Sequence, residues 1–233
     1  MNTTSSQPEA GPTTSTGPAA LPGRRSNRGL KIVLLVAMFC ALAGYGYRYG
    51  IRDHLIPRNF GTVDQGQIYR SGRLTPATME RIVRDNNIRT VIDLGAYEEG
   101  SVPDVLERRT AEALGARRVR FSLSGDATGN PADYVNALKI MADPANHPLL
   151  VHCAAGAQRT SAAVMLYRKA FQNVPFEQSL DEARTFGHDP EDNPKLLKYL
   201  AEHGDAIIAE AKAAVESGVG AGVGTGIGAA PVK

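Results

Sequence analysis

A cysteine set between a short apolar run and a helical pattern constrains this chain more than any other feature. Leu149-Leu150-Val151 reads as a buried strand and Ser161 to Phe171 as a helix, and His152-Cys153-Ala154-Ala155-Gly156-Ala157-Gln158-Arg159-Thr160 joins them. A loop that ends at a helix N-terminus aims several backbone N–H groups at one point, and the helix dipole adds partial positive charge there. Gly156 lets the loop turn tightly, while Ala154, Ala155 and Ala157 are small enough to leave the amides exposed. Such a concavity accepts a phosphate. Arg159, six positions after the cysteine, returns over the loop, where its planar fork can grip two oxygens. The same field lowers a thiol pKa, so Cys153 is expected to be a thiolate at neutral pH, able to attack phosphorus. Thr160 is placed to donate a hydrogen bond to the sulfur, and His152 reads as a support for the loop. A free cysteine on its own is usually a small buried hydrophobe. Cys, Gly, Arg and Thr at these spacings, after a strand and before a helix, argue for chemistry instead.

The rest of the chain supports a single catalytic domain. The 233 residues leave room for one domain of ordinary size with extensions. An apolar share of 42% and a charged share of 21% suit a globular protein, and a net charge of +2 gives no argument for a nucleic-acid partner. The two cysteines, Cys40 and Cys153, offer no disulfide framework, so the fold must rest on its core.

Residues 1–31 form a Thr-, Ser-, Gly- and Pro-rich segment that turns basic at Arg24, Arg25, Arg28 and Lys31, and it is expected to be disordered. Ile32 to Tyr47 is uncharged and mostly apolar, so residues 32–50 are expected to be a transmembrane signal-anchor helix. Ala41-Leu42-Ala43 also fits a cleavage site, but a leader of that length would be long. The basic flank places the N-terminus on the cytoplasmic side and the domain across the bilayer, in the periplasm if the host is a bacterium. Residues 51–215 are expected to be the catalytic domain, and residues 216–233 a flexible Gly- and Ala-rich tail.

Within the domain, strands are expected at Gln67 to Tyr69, Thr90 to Leu94, Arg118 to Leu123 and Leu149 to Val151. Helices are expected at Ala77 to Asp85, Val105 to Leu114, after the Asn130-Pro131 cap, at Ser161 to Phe171, and in two further segments on Phe176, Leu180 and Ala183 and on Leu197, Leu200 and Ile207. Alternating strands and helices imply an α/β fold with a mostly parallel central sheet flanked by helices.

The run His152-Cys153-x-x-Gly156-x-x-Arg159-Thr160 resembles in full the signature of the cysteine-dependent protein-tyrosine and dual-specificity phosphatases. Asn59-Phe60-Gly61-Thr62-Val63, Ile68-Tyr69-Arg70-Ser71-Gly72 and Ile88 to Leu94 are similar to the plant and fungal atypical dual-specificity phosphatases and their bacterial relatives. The resemblance runs from about Asn59 to Phe171. It implies a compact phosphatase fold, a phosphocysteine intermediate and hydrolysis without metal or cofactor, acting on a phosphorylated protein or a small phosphate ester. It implies further that Ala154, Ala155, Gly156, Ala157, Gln158 and Thr160 surround the phosphate. Arg70 and Ser71 line the site by the same resemblance, with a structural ion pair as the other reading of Arg70.

Two departures bear on substrate. Relatives that act on inositol pyrophosphates carry basic residues inside the loop, where this chain has Ala154, Ala155, Ala157 and Gln158, which disfavours a highly charged inositol phosphate. Relatives also commonly have an arginine after the Leu of the second strand, where Gly95 stands here. The family takes the leaving-group proton from an Asp on a loop before the nucleophile. Asp126 is the first candidate, Asp133 the second, and Asp189 with Asp192 the third, each with a plain structural reading as a turn or cap residue. Protein phosphotyrosine is the expected substrate class, with phosphoinositide or inositol phosphate as the alternative. A rhodanese-like sulfurtransferase and a non-catalytic phosphate-binding module are the other readings. The five residues between Cys153 and Arg159 speak against the first, and the presence of both side chains against the second.

Overall fold

The computed structural model describes residues 28–46 and 57–218. Its strands are β1 (Gly61–Asp64), β2 (Ile68–Ser71), β3 (Thr90–Asp93), β4 (Arg117–Arg120) and β5 (Leu149–His152). Its helices are α1 (Arg28–Gly46), α2 (Pro76–Asp85), α3 (Val102–Ala113), α4 (Pro131–Ala142), α5 (Gln158–Gln172), α6 (Phe176–Thr185) and α7 (Pro194–Glu216). The strands form one mixed sheet in the order β1-β2-β5-β3-β4, parallel throughout except for β1, which pairs antiparallel with β2.

Successive strand residues point to opposite faces, and both faces are apolar. Ile68, Ile92, Leu149 and Val151 enter one core with residues of α4, α5, α6 and α7. Tyr69, Val91 and Leu150 enter the other, with Met79, Ile82 and Val83 of α2 and Ala111 of α3. β5 is central, with Ser71 of β2 and Asp93 of β3 flanking its last residue, His152. The loop after His152 therefore leaves the sheet at the carboxyl ends of the parallel strands, where α/β sheets leave room for ligands.

The expected strands and helices are present with shifted ends. α5 begins at Gln158, three residues before the expected Ser161, so Arg159 and Thr160 are helical. β4 stops at Arg120, although Phe121 N still donates to Asp93 O at 2.8 Å. β1 was not expected. It opens on Gly61, closes on Asp64 and has one buried residue, Val63, so it lacks an apolar signal of its own and forms as an edge on β2.

The chain divides into two units near Ala43, and α1 lies almost wholly in the first. The expected membrane-spanning helix is not shown: no helix among the described residues is long and apolar enough to cross a membrane. Over the described residues a helix runs Arg28–Gly46, and its uncharged part, Ile32 to Gly46, rises about 22 Å. The expectations for residues 1–27, 47–56 and 219–233 lie outside the described residues.

A buried ionic cluster fastens α3 to the carboxyl edge of the sheet. Arg118 of β4 bonds Asp93 Oδ2 and Asp104 Oδ1 at 2.5 Å each and Glu107 Oε1 at 2.9 Å. Arg120 bonds Asp93 Oδ2 at 2.7 Å and the carbonyl of Tyr97 at 2.7 Å. Removing one partner from such a cluster leaves buried charge uncompensated. Arg118→Ala is therefore expected to lower unfolding stability in urea by about 3–5 kcal/mol. Arg117→Ala, which loses only an exposed bond to Asn146, is expected to cost less than about 1 kcal/mol in the same measurement.

Candidate active site

The loop 153–158 is tethered from outside by its carbonyls. Ala154 O accepts from Arg73 N at 3.2 Å, Ala155 O from Asn59 Nδ2 at 2.9 Å, and Gly156 O from Arg70 Nη2 at 2.8 Å. With three successive carbonyls drawn outward, the intervening N–H groups turn toward the interior of the loop. One of them, Gly156 N, donates to Cys153 Sγ at 3.2 Å. The loop runs directly into α5, whose N-cap position is Ala157 and whose first turn receives no side-chain cap. The first N–H groups of a helix have no partner within the helix, so here they remain available to an anion.

Gly156 fits because nothing larger can. Its φ is +71°, and a Cβ there would lie 2.5 Å from Gly72 N and 2.6 Å from Ser71 C, both backbone atoms. Arg70 underpins the same contact. It is fully buried and also donates to Ser161 Oγ at 2.8 Å, and its guanidinium stacks over Phe186 at 3.9 Å. Burial lowers its pKa to about 10, with Glu182 and Cys153 acting in the opposite sense, so it stays cationic at neutral pH. Of the two readings of Arg70, the structural one describes its contacts, although its anchors are a loop carbonyl and a hydroxyl rather than a carboxylate.

Arg159 is turned by its Nη1, which donates to the carbonyls of Leu94 at 3.0 Å, Leu123 at 3.3 Å and, closer still, Gly95. Its Nε is buried with no protein partner. With Nη1 tied back, the edge formed by Nε and Nη2 is the one left to hold two anion oxygens. The substitution of glycine at position 95 gains a meaning here. Gly95 has φ +80°, and a Cβ would come within 2.9 Å of Arg159 Nη1. Sequence reasoning noticed Gly95 only as a departure; that it seats the arginine follows only from the fold.

Cys153 is 2% exposed. Burial pushes its thiol pKa up, but the Thr160 hydroxyl, the Arg159 charge and the backbone N–H groups of Thr160 and Gly156 outweigh it, and the net shift is downward. The Thr160 hydroxyl is buried and makes no hydrogen bond within ordinary limits. His152 is fully buried, with Nε2 3.2 Å from Glu107 Oε1 and off the line of a well-formed hydrogen bond. Burial lowers its pKa, Glu107 raises it more, and the result is a raised value. Asp93, Glu107 and His152 bring ligand atoms within 4.8 Å of one another, but Arg118 and Arg120 already hold the carboxylates that a metal ion would use. The Gln158 side-chain oxygen lies 2.5 Å from His188 Nδ1.

The acid candidates differ in surroundings. Asp126 Oδ1 accepts from Thr128 Oγ1 at 2.7 Å and Thr128 N at 3.2 Å, and Oδ2 lies 3.1 Å from Lys195 Nζ. The Thr128 hydroxyl, with help from Lys195 and against some desolvation, lowers its pKa to about 2. Asp126 is thus a carboxylate in this position. Asp133 is half-buried in the first turn of α4, and burial raises its pKa. Asp189 accepts from Glu191 N at 2.9 Å and its carbonyl from Asn193 N at 3.0 Å, which makes it part of the turn that leads into α7. Asp192 is exposed in the same turn.

The model of the tyrosine phosphatase family matches residues 54–217. The inositol diphosphatase DSP3 of Arabidopsis thaliana is 34% identical over 119 residues, which is 48% of this chain and 55% of that protein. The inositol diphosphatase SIW14 of Saccharomyces cerevisiae is 28% identical over 143 residues, 58% of this chain and 47% of that protein. The chain spans about half the length of the curated relatives it matches. Among solved structures, the core catalytic domain of SIW14 is similar with a TM-score of 0.55 at 22% identity, covering 71% of this chain and 96% of the other. TpbA of P. aeruginosa gives 0.54 at 19% identity, covering 67% and 91%. These likenesses show a shared fold.

Two outcomes follow from the loop geometry. The ultraviolet absorbance of the thiolate, corrected for Cys40 with Cys153→Ser, is expected to titrate below the pH of a free cysteine. Gly156→Ala forces the loop off Ser71 and Gly72 and is expected to cost about a hundredfold in turnover of an aryl phosphate, since an ångström of misplacement costs that much.

Proposed function

Because the chain belongs to the tyrosine phosphatase family, we propose that it releases phosphate through a phosphocysteine on Cys153, with a diphosphate on an inositol ring as its substrate. The observation that carries the reaction is the convergence of Cys153 Sγ, the inward loop amides and the uncapped start of α5 beside the free edge of Arg159. The thiolate attacks phosphorus and the bridging P–O bond breaks, the electron pair leaving with the departing oxygen. Water then attacks the phosphocysteine and the S–P bond breaks. Inorganic phosphate leaves, the thiolate returns, and the water's surplus proton passes to phosphate or solvent. Arg159 and the amides stabilise the equatorial oxygens in both steps.

The leaving group supports a diphosphate over a phosphotyrosine. A phenol has a pKa of about 10 and needs a proton donor as it departs. The ring-bound phosphate expelled when a diphosphate is cleaved has a second pKa of about 6, so it departs without one. Asp126 in its present position bonds Thr128 and Lys195, which favour its ionised form. The curated relatives named above are inositol diphosphatases, which points the same way. The alanines of the loop leave the cations that such a substrate needs to residues outside it.

Arg159→Lys keeps the charge but loses the fork, and is expected to cost about 2–4 kcal/mol in kcat/KM. On a diphosphoinositol substrate, Asp126→Asn is expected to stay within about threefold of wild type, whereas loss of a working general acid would cost about a hundredfold or more. Across pH, the rate on that substrate should rise as Cys153 ionises, with no fall between about pH 4 and 7 from a donor losing its proton. A falling limb there that disappears in Asp126→Asn would assign the proton to Asp126 and favour an ester.

A further inference from the structure

The nucleophile loop borders a second cavity. It has a volume of about 130 Å³ and is lined by Arg58, Arg73, Thr75, Tyr97 and Ala154. A single water needs only about 15 Å³ on this measure, so the space takes a larger group. Its position is fixed by backbone bonds: Gly72 N donates to Arg58 O at 2.6 Å, and Arg73 N donates to Ala154 O at 3.2 Å. Gly72 keeps the strands of chain this close, since a Cβ there would lie 3.0 Å from Ala155 C and 3.1 Å from Arg58 O. Tyr97, whose hydroxyl donates to Leu74 O at 3.1 Å, forms a fixed wall. Arg58 and Arg73 are exposed, and neither guanidinium makes a hydrogen bond or ion pair among the described residues. Among the described residues, no acid lines the cavity. Two arginines lining a cavity that also takes in Ala154, the neighbour of Cys153, with no acid among its described lining residues, form a site for an anion beside the scissile phosphate.

We propose that Arg58 and Arg73 form a second anion subsite that holds another phosphate group of a multiply phosphorylated small substrate while Cys153 attacks the first. The proposal rests on the phosphatase reading and deepens it. It places outside the loop the cations that Ala154, Ala155 and Ala157 do not supply. Selectivity for a polyphosphate over a monophosphate then comes from β2's exit and the segment before β1, not from the loop sequence.

The test uses the full chain with Arg58→Ala and Arg73→Ala combined, and a Lys/Lys counterpart. It compares kcat/KM on a diphosphoinositol polyphosphate, on 4-nitrophenyl phosphate and on an acidic phosphotyrosine peptide. Charge-assisted bonds to two arginines predict that the Ala variant loses about ten- to hundredfold more on the diphosphoinositol than on the aryl phosphate, mainly through KM, with partial recovery in the Lys variant. In a Cys153→Ser background, calorimetric affinity for inositol hexakisphosphate should fall by a similar factor. Equal losses on the diphosphoinositol and the aryl phosphate, or undiminished hexakisphosphate binding, would overturn the subsite. A larger loss on the peptide would overturn it in favour of a protein substrate. Absence of aryl phosphate turnover in the wild type would instead remove the phosphatase reading, while the binding arm would still decide the subsite.

Discussion

Three backbone carbonyls set the character of this site. Ala154, Ala155 and Gly156 give their oxygens to Arg73 N, Asn59 Nδ2 and Arg70 Nη2, so the loop presents N–H groups on its inner side. Those amides bind an anion, and the same field pulls the Cys153 thiol pKa down against its own burial. Because Arg70 is itself fully buried, the tether is rigid, and desolvation lowers its pKa without discharging it. A loop held this way needs little reorganisation when a phosphate arrives, which is the basis of electrostatic preorganisation.

The opposite side of the loop is fixed by charge. His152 closes β5 next to Asp93 of β3, and both meet the ionic cluster of Arg118, Arg120, Asp104 and Glu107. The cluster joins three strand ends to α3 where the sheet would otherwise expose its carboxyl edge. Arg159 spans the remaining gap to the carbonyls of Leu94, Gly95 and Leu123. The nucleophile and the anion clamp are thus positioned by different strands, and each is anchored before any ligand binds.

The loop was legible in the sequence because its chemistry is local. Gly, Cys, Arg and Thr at fixed spacing define the turn, the nucleophile and the clamp without reference to the rest of the fold. The parallel core was legible for a similar reason: Thr90-Val91-Ile92 and Leu149-Leu150-Val151 are buried on both faces and read as apolar throughout. What the sequence hides is non-local. Asn59 reaches Ala155 across 96 positions and Arg70 reaches Gly156 across 86, and no periodicity announces either bond. β1 was missed because a strand with one buried residue has no pattern of its own. The apolar run after Lys31 suggests a membrane span from its composition, and over the described residues it lies in a helix that also takes in the charged residues Arg28 and Lys31. Asp126 was chosen for its place on a loop. Its partners, Thr128 and Lys195, decide its protonation, and Lys195 is 69 residues away.

The central claim is that an anion is held at Cys153 by loop amides and the free edge of Arg159. A crystal structure of the full chain with vanadate tests it most directly. The account predicts vanadium bonded to Cys153 Sγ, its equatorial oxygens accepting from backbone N–H groups between Ala154 and Arg159 and from Arg159 Nε and Nη2, with Nη1 still on Leu94 and Gly95. Vanadate bound elsewhere, or seated at the loop with Arg159 Nε directed away from it, would contradict the account.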